Sequence, residues 1–192
     1  MAIKTSYMVT NLQLNGVFDM DIVQACIAGK PHAQEALYTH FSQTMFGICL
    51  RYASDYHSAE DILQEGFVKV FKNLDRFRGE GSFEGWLKRI FVNTSIEFYR
   101  KAITKRNIVE LDSVYDQGTE SLALDQLATK DLLKIIQQLP TGYRTVFNLY
   151  GIEGYTHKEI GKMLNISEGT SKSQLARARE SIKKMIRKQN DQ

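Results

Sequence analysis

Lys172, Ser173, Gln174, Arg177 and Arg179 fall within one short stretch of this chain. Side chains of these types at this density suit the reading of duplex DNA. A glutamine amide matches adenine N6/N7, and an arginine fork matches guanine O6/N7 or a phosphate. Lysine and serine suit phosphate oxygens, which set register without reading sequence. For Arg177 the sequence leaves base and phosphate equally open. The helix start near Glu168–Thr170 adds free N–H groups that can meet a phosphate.

These side chains need an element that holds them in a groove, and the flanking residues describe one. Thr156 can cap a first helix, with Glu159 three residues on to complete a capping box. Ile160 and Leu164 form its buried stripe. Asn165, Ile166 and Ser167 make the turn, and Ser167 can cap the second helix. Ser171, Leu175, Ala178 and Ile182 then point inward at helical spacing. Two short helices, a tight turn and a cationic outer face make a helix-turn-helix, whose second helix enters the major groove.

The remainder of the chain reads as all-α. It has only two prolines and no alternating β-branched runs. Helices are expected over Met20–Ala28, His32–Ala53 through Leu37, Phe41, Met45, Ile48 and Tyr52, and Ser58–Leu74. The last is expected to be capped by Ser58, with Asp61 at the capping-box position. It buries Ala59, Ile62, Leu63, Phe67, Val70, Phe71 and Leu74. A glycine-bearing loop, Arg76 to Ser82, leads into a helix over Phe83–Ala102. Residues 107–120 are polar and acidic and read as a flexible linker. An amphipathic helix follows over Ser121–Leu139, through Leu124, Leu127, Leu132, Ile135 and Leu139, and Pro140 opens a short helix ending near Gly151. The organisation is therefore an extension over 1–19, a helical domain over 20–106, a linker over 107–120 and a smaller helical domain over 121–192.

Charge divides the same way. Residues 76–106 hold eight Lys/Arg against three Asp/Glu, and residues 156–189 hold nine against three. The net charge is only +3, so the rest of the chain is acidic. Two separated basic segments suit two contacts with a polyanion. Cys26 and Cys49 stand alone in apolar stretches and read as small core residues of a protein in a reducing compartment. His32, His40, His57 and His157 do not cluster at metal-ligand spacing. No metal, no cofactor and no catalytic constellation is expected. No segment reads as a signal peptide or membrane span, so no membrane insertion and a cytoplasmic location are expected.

Four segments carry a resemblance. They are Asp61-Ile-Leu-Gln-Glu-Gly-Phe-Val-Lys-Val-Phe71, Phe77 through Thr94, Leu139-Pro140 with Arg144-Thr-Val-Phe147, and Tyr155–Ile182. In this order they resemble the extracytoplasmic-function (ECF) sigma factors of bacterial RNA polymerase, the compact two-domain group of the sigma-70 family. The resemblance covers about residues 20–187. It implies a non-enzymatic initiation factor whose partners are core RNA polymerase, promoter DNA and an anti-sigma factor. It places Asp61, Gln64, Glu65 and Val68 on the polymerase clamp. It places Arg76, Phe77, Arg78, Arg89, Asn93 and Lys101 on the −10 element, and Lys172, Ser173, Gln174, Arg177 and Arg179 on the −35 element. For Phe83 and Trp86 core packing is the stronger competing role; for Phe77 the two roles balance. The family often has valine where this chain has Ser171, which implies slightly weaker packing of the recognition helix. It often has arginine at Gln174, which implies a −35 sequence of its own.

Other classes fit less well. A helix-turn-helix response regulator would need an α/β receiver, but residues 20–103 keep a helical period. An enzyme would need grouped catalytic side chains or a phosphate-cradling loop. A plain helical interaction module leaves both basic segments without a role.

Overall fold

The computed structural model describes residues 20–108 and 127–190. The extension over 1–19, nearly all of the 107–120 linker and the first turn expected from Ser121 to Leu124 lie outside the described residues. Among the described residues there are eight α-helices, one 3-10 turn and no strand, so the all-α expectation holds. The helices are α1 (Met20–Ile27), α2 (Pro31–Tyr52), α3 (Tyr56–Asn73), α4 (Phe83–Ile108), α5 (Leu127–Gln137), α6 (Thr141–Gly151), α7 (His157–Leu164) and α8 (Glu168–Asn190). They fall into two compact units. Of the described residues, one takes in 20–48 together with Leu63–Thr94, and the other takes in Cys49–Ile62 with 95–108 and 127–190.

The first unit starts where α1 buries Ile22, Val23 and Cys26. Gly29 ends it with φ +71°. The Gly29 N–H reaches the Cys26 carbonyl at 2.9 Å and the Lys30 N–H reaches Ala25 at 3.1 Å, the paired bonds of a Schellman end. Pro31 then opens α2, where its missing N–H costs nothing. Leu37, Phe41, Met45 and Ile48 form the buried stripe of α2, as their spacing requires. Phe67 of α3 packs edge-on against Phe91 of α4, with centroids 5.2 Å apart. Gly66 makes that approach possible, because a Cβ there would lie 2.2 Å from Phe91 Cε1.

Two expectations about this region are corrected. α3 begins at Tyr56, not Ser58. Asp55 accepts from the Ser58 N–H at 2.7 Å and from its hydroxyl at 2.9 Å, so Ser58 lies in the first turn and Asp61 has no capping role. Burial pushes the Asp55 carboxyl up, but the bonds from Ser58 and Ser54 outweigh it and hold the group below the usual range. α4 also runs past Ala102 to Ile108.

In the second unit α6 buries Val146 and Leu149, and with them Arg144, Thr145 and Asn148. Each polar side chain has a carbonyl partner. Arg144 Nη1 donates to Gln137 O at 2.8 Å, Thr145 Oγ1 to Thr141 O at 2.8 Å and Asn148 Nδ2 to Arg51 O at 2.6 Å. Such bonds are what make polar burial tolerable. On α5, Ile135 and Ile136 lie inside, as does Leu139 in the turn after it, but Leu132 is 49% exposed, which corrects its place on the apolar stripe. The cysteines are core residues: burial pushes Cys26 up to about 11 and Cys49 up to about 12, so neither forms a thiolate near neutral pH. No helix among the described residues is long and apolar enough to cross a membrane. No group of His, Cys, Asp or Glu among them is arranged to hold a metal.

Candidate nucleic-acid interface

The C-terminal helix pair is built as its caps require. Thr156 Oγ1 accepts from the Glu159 N–H, and the Glu159 carboxylate accepts from the Thr156 N–H at 2.8 Å and from its hydroxyl at 2.7 Å. Those bonds hold the Glu159 carboxyl below the usual glutamate range. α7 ends at Asn165, in the left-handed conformation at φ 56°, which asparagine tolerates better than other non-glycine residues. The chain then turns, and Ser167 Oγ accepts from the Thr170 N–H at 2.9 Å to cap α8. Gly161 sits under this turn, where a Cβ would lie 2.9 Å from the Ile166 carbonyl oxygen.

α8 buries Ser171, Leu175 and Ala178, with Ile182 half-buried. Ser171 is the residue for which weaker packing was expected. Its hydroxyl is hydrogen-bonded to His157 Nδ1 at 2.9 Å, and the His157 ring stacks on Tyr150 with centroids 4.5 Å apart. The buried hydroxyl thus has a partner on α7. His157 matters here as a hydrogen-bond partner and not as a metal ligand, and its place one residue inside a capped helix is the sequence signal for that role.

The five groove candidates occupy both flanks of α8. Lys172 is exposed and paired with Glu168 at 2.7 Å. Ser173 is exposed and donates to Thr170 O at 2.9 Å. Gln174 is half-buried beside α6, where a Cβ on Gly142 would lie 3.4 Å from both of its amide atoms. Its Oε1 is buried with no hydrogen-bond partner. To reach a base edge this amide must swing away from Gly142. Arg177 is exposed and donates from Nη1 to the Tyr143 hydroxyl at 3.3 Å. That bond is the first cause of a guanidinium pKa above its ordinary value. Arg179 lies over the Tyr150 ring, 5.7 Å from its centroid. Tyr143 and Tyr150, two turns apart on one face of α6, were not singled out from sequence.

In the other group of candidates, Phe83 is buried and packs with Phe77 and Trp86, at centroid distances of 5.1 and 5.7 Å. Phe77 and Trp86 are half-buried, 5.6 Å apart. Phe83 is therefore a core residue, while Phe77 and Trp86 keep accessible surface. Gly79 and Gly81 take φ of 75° and 83°, which explains glycine at both places in the loop. Arg76 and Arg78 are exposed on that loop. Ser82 Oγ accepts from the Gly85 N–H at 2.9 Å to start α4. Arg89 and Asn93 are exposed one turn apart on α4, and Lys101 lies 5.7 Å from the Phe98 ring centroid. Within the first unit, Phe77 and Trp86, with Arg76 and Arg78 next to Phe77 in sequence, offer an aromatic surface that can stack an unpaired base.

On α3, Asp61, Gln64 and Val68 are exposed, Val68 at 46%. Glu65 is half-exposed and lies 3.7 Å from Lys69 one turn on. These four side chains share one face of α3, which makes them the candidates for a partner contact.

Comparison with known proteins gives two family matches. Residues 37–103 match Sigma-70 region 2, and residues 129–182 match Sigma-70, region 4. The chain is 34% identical over 163 residues to the ECF RNA polymerase sigma factor SigW of Bacillus subtilis, covering 77% of this chain and 85% of that one. It is 28% identical over 181 residues to the RNA polymerase sigma-H factor of Pseudomonas aeruginosa, covering 88% and 93%. Among solved structures, the sigma factor RpoE of Bartonella quintana, in complex with the anti-sigma factor NepR, matches at 22% identity over 88% of this chain and 93% of that one. Its TM-score is 0.44, so the sequence matches carry the weight.

Proposed function

The chain belongs to the ECF group of the sigma-70 family, so it binds core RNA polymerase and directs promoter-specific initiation, and we propose that its named surfaces divide that work as follows. Residues 121–192 bind the −35 element through Lys172, Ser173, Gln174, Arg177 and Arg179. Residues 20–106 bind core polymerase through Asp61, Gln64, Glu65 and Val68, and bind the −10 strand through Arg76, Phe77, Arg78, Arg89, Asn93 and Lys101. Residues 107–120 link the two. An anti-sigma factor that covers these surfaces is the regulator the family membership implies, and the cytoplasm is the place of action.

The observation that best supports this division is the cap-turn-cap geometry of α7 and α8 beneath a row of long polar side chains. The chemistry follows from it. The protein forms no bond; it binds open DNA better than closed DNA. Each base that leaves the stack costs a few kcal/mol, and stacking on an aromatic surface returns about 1–3 kcal/mol. Phe77 and Trp86 supply such a surface, with Arg76 and Arg78 beside it for the strand backbone. Asn93 offers both a donor and an acceptor to a base edge.

Run-off transcription with core RNA polymerase on a fragmented genomic library tests the reading. Discrete start sites that depend on the added chain, sharing two upstream elements, are expected. Retention of core polymerase without any start site would refute the promoter assignment, and failure to retain it would refute the polymerase surface.

A further inference from the structure

We infer that Tyr143 is a specificity-determining positioning residue: from α6 its hydroxyl holds the Arg177 guanidinium in the pose that reads a guanine edge in the −35 element. The inference rests on α8 being the recognition helix.

An exposed arginine samples many rotamers and loses that freedom on binding. Here the ordering is done before DNA arrives. Arg177 Nη1 donates to the Tyr143 oxygen at 3.3 Å, across 34 residues of chain. The support is firm, because the three residues after Tyr143 (Arg144, Thr145 and Val146) are all buried. Engaging Nη1 leaves the Nε and Nη2 edge of the fork free. That edge carries two parallel donors, the match for guanine O6 and N7.

Arg179 is held differently. It lies over the Tyr150 ring at 5.7 Å, and an attraction to a ring face localises the charge without directing the fork. That suits a phosphate. The two tyrosines of α6 thus sort the two arginines of α8 into a base reader and a backbone contact.

The test is Tyr143→Phe, which removes one oxygen and keeps the ring. The full chain is bound to core RNA polymerase and offered a double-stranded DNA library randomised across the upstream element, at several salt concentrations. Arg177→Ala should lose preference at one position. Tyr143→Phe should relax the same position by about two- to tenfold, the factor that ordering one rotamer-rich side chain is worth. Salt dependence and the thermal midpoint should stay at wild-type values. In an Arg177→Ala background, Tyr143→Phe should have no further effect. Wild-type preference in Tyr143→Phe would overturn the inference. So would a loss spread evenly over the library, or an effect that persists without Arg177. If the wild-type chain itself enriches no upstream sequence, the promoter reading of α8 fails first and the role of Tyr143 falls with it.

Discussion

Replacing Gly161 by alanine sets two effects of known sign against each other. Gly161 lies inside α7 and is buried. In a free helix, alanine in place of glycine would stabilise by about 0.8–1 kcal/mol. Here the new Cβ would lie 2.9 Å from the Ile166 carbonyl oxygen, 3.7 Å from Glu168 N and 3.8 Å from the Ser167 carbonyl carbon. All three are backbone atoms of the turn, so no side chain can rotate out of the way. The turn is also tied down, since the Ile166 N–H bonds the Gly161 carbonyl at 3.0 Å. Overpacking of this kind costs about 1–3 kcal/mol, leaving a net loss of roughly 0–2 kcal/mol once the propensity gain of about 1 kcal/mol is taken off. The effect on function should exceed the effect on stability, because relief requires α8 to move relative to α7. Misplacing Lys172 to Arg177 by a fraction of an ångström breaks bidentate contacts worth about 1–3 kcal/mol each. Thermal unfolding should show a modest drop, while promoter binding by the reconstituted holoenzyme falls about tenfold or more. Gly169→Ala is the control: its Cβ would meet only Ser167 Oγ at 3.7 Å, so that variant, in the first turn of α8, should be at least as stable as wild type. A Gly161→Ala protein as stable as the control, with promoter binding intact, would refute the claim that this glycine sets the helix separation.

Asn165 sits at φ 56°, so Asn165→Ala should destabilise by about 1–2 kcal/mol while Asn165→Gly stays near neutral, as read from chemical denaturation. The Glu159 carboxyl is held below the usual glutamate range by its bonds from Thr156. The unfolded chain therefore binds the proton more readily. That contribution is complete above the unfolded value near 4.3 and is lost as pH falls through the lowered folded value, so Thr156→Ala should flatten the acid limb of stability against pH. Glu65→Lys should weaken binding to core polymerase at moderate salt and leave the thermal midpoint within about 0.5 kcal/mol of wild type; equal affinity would remove Glu65 from the contact. Asn93→Ala should slow open-complex formation, followed by permanganate reactivity, more than it weakens duplex binding; a normal opening rate would place the strand contact elsewhere.

Local pattern was enough to determine the all-α class, the helix series, the Thr156–Glu159 capping box and the Ser167 cap. The interior positions Leu37, Phe41, Met45 and Ile48 were legible for the same reason. A helix is made by bonds and periodicities a few residues long, and these are written in consecutive residues. Groove chemistry restricts the types of the candidate DNA side chains, and the structure leaves Lys172, Ser173, Arg177 and Arg179 exposed and Gln174 half-buried. Tertiary structure decided the rest. Asp55 rather than Ser58 starts α3, because the Asp55 carboxylate accepts from both the N–H and the hydroxyl of Ser58. Leu132 faces outward although its spacing fits the buried stripe, since a stripe is only as wide as the partner surface that covers it. Arg144, Thr145, Asn148 and Ser171 are interior although polar. Burying a polar group is decided by whether a partner waits there, and for Arg144, Asn148 and Ser171 that partner comes from another helix. Tyr143 belongs with them: its meaning depends on Arg177 lying across from it, which only the packing of α6 against α8 brings about.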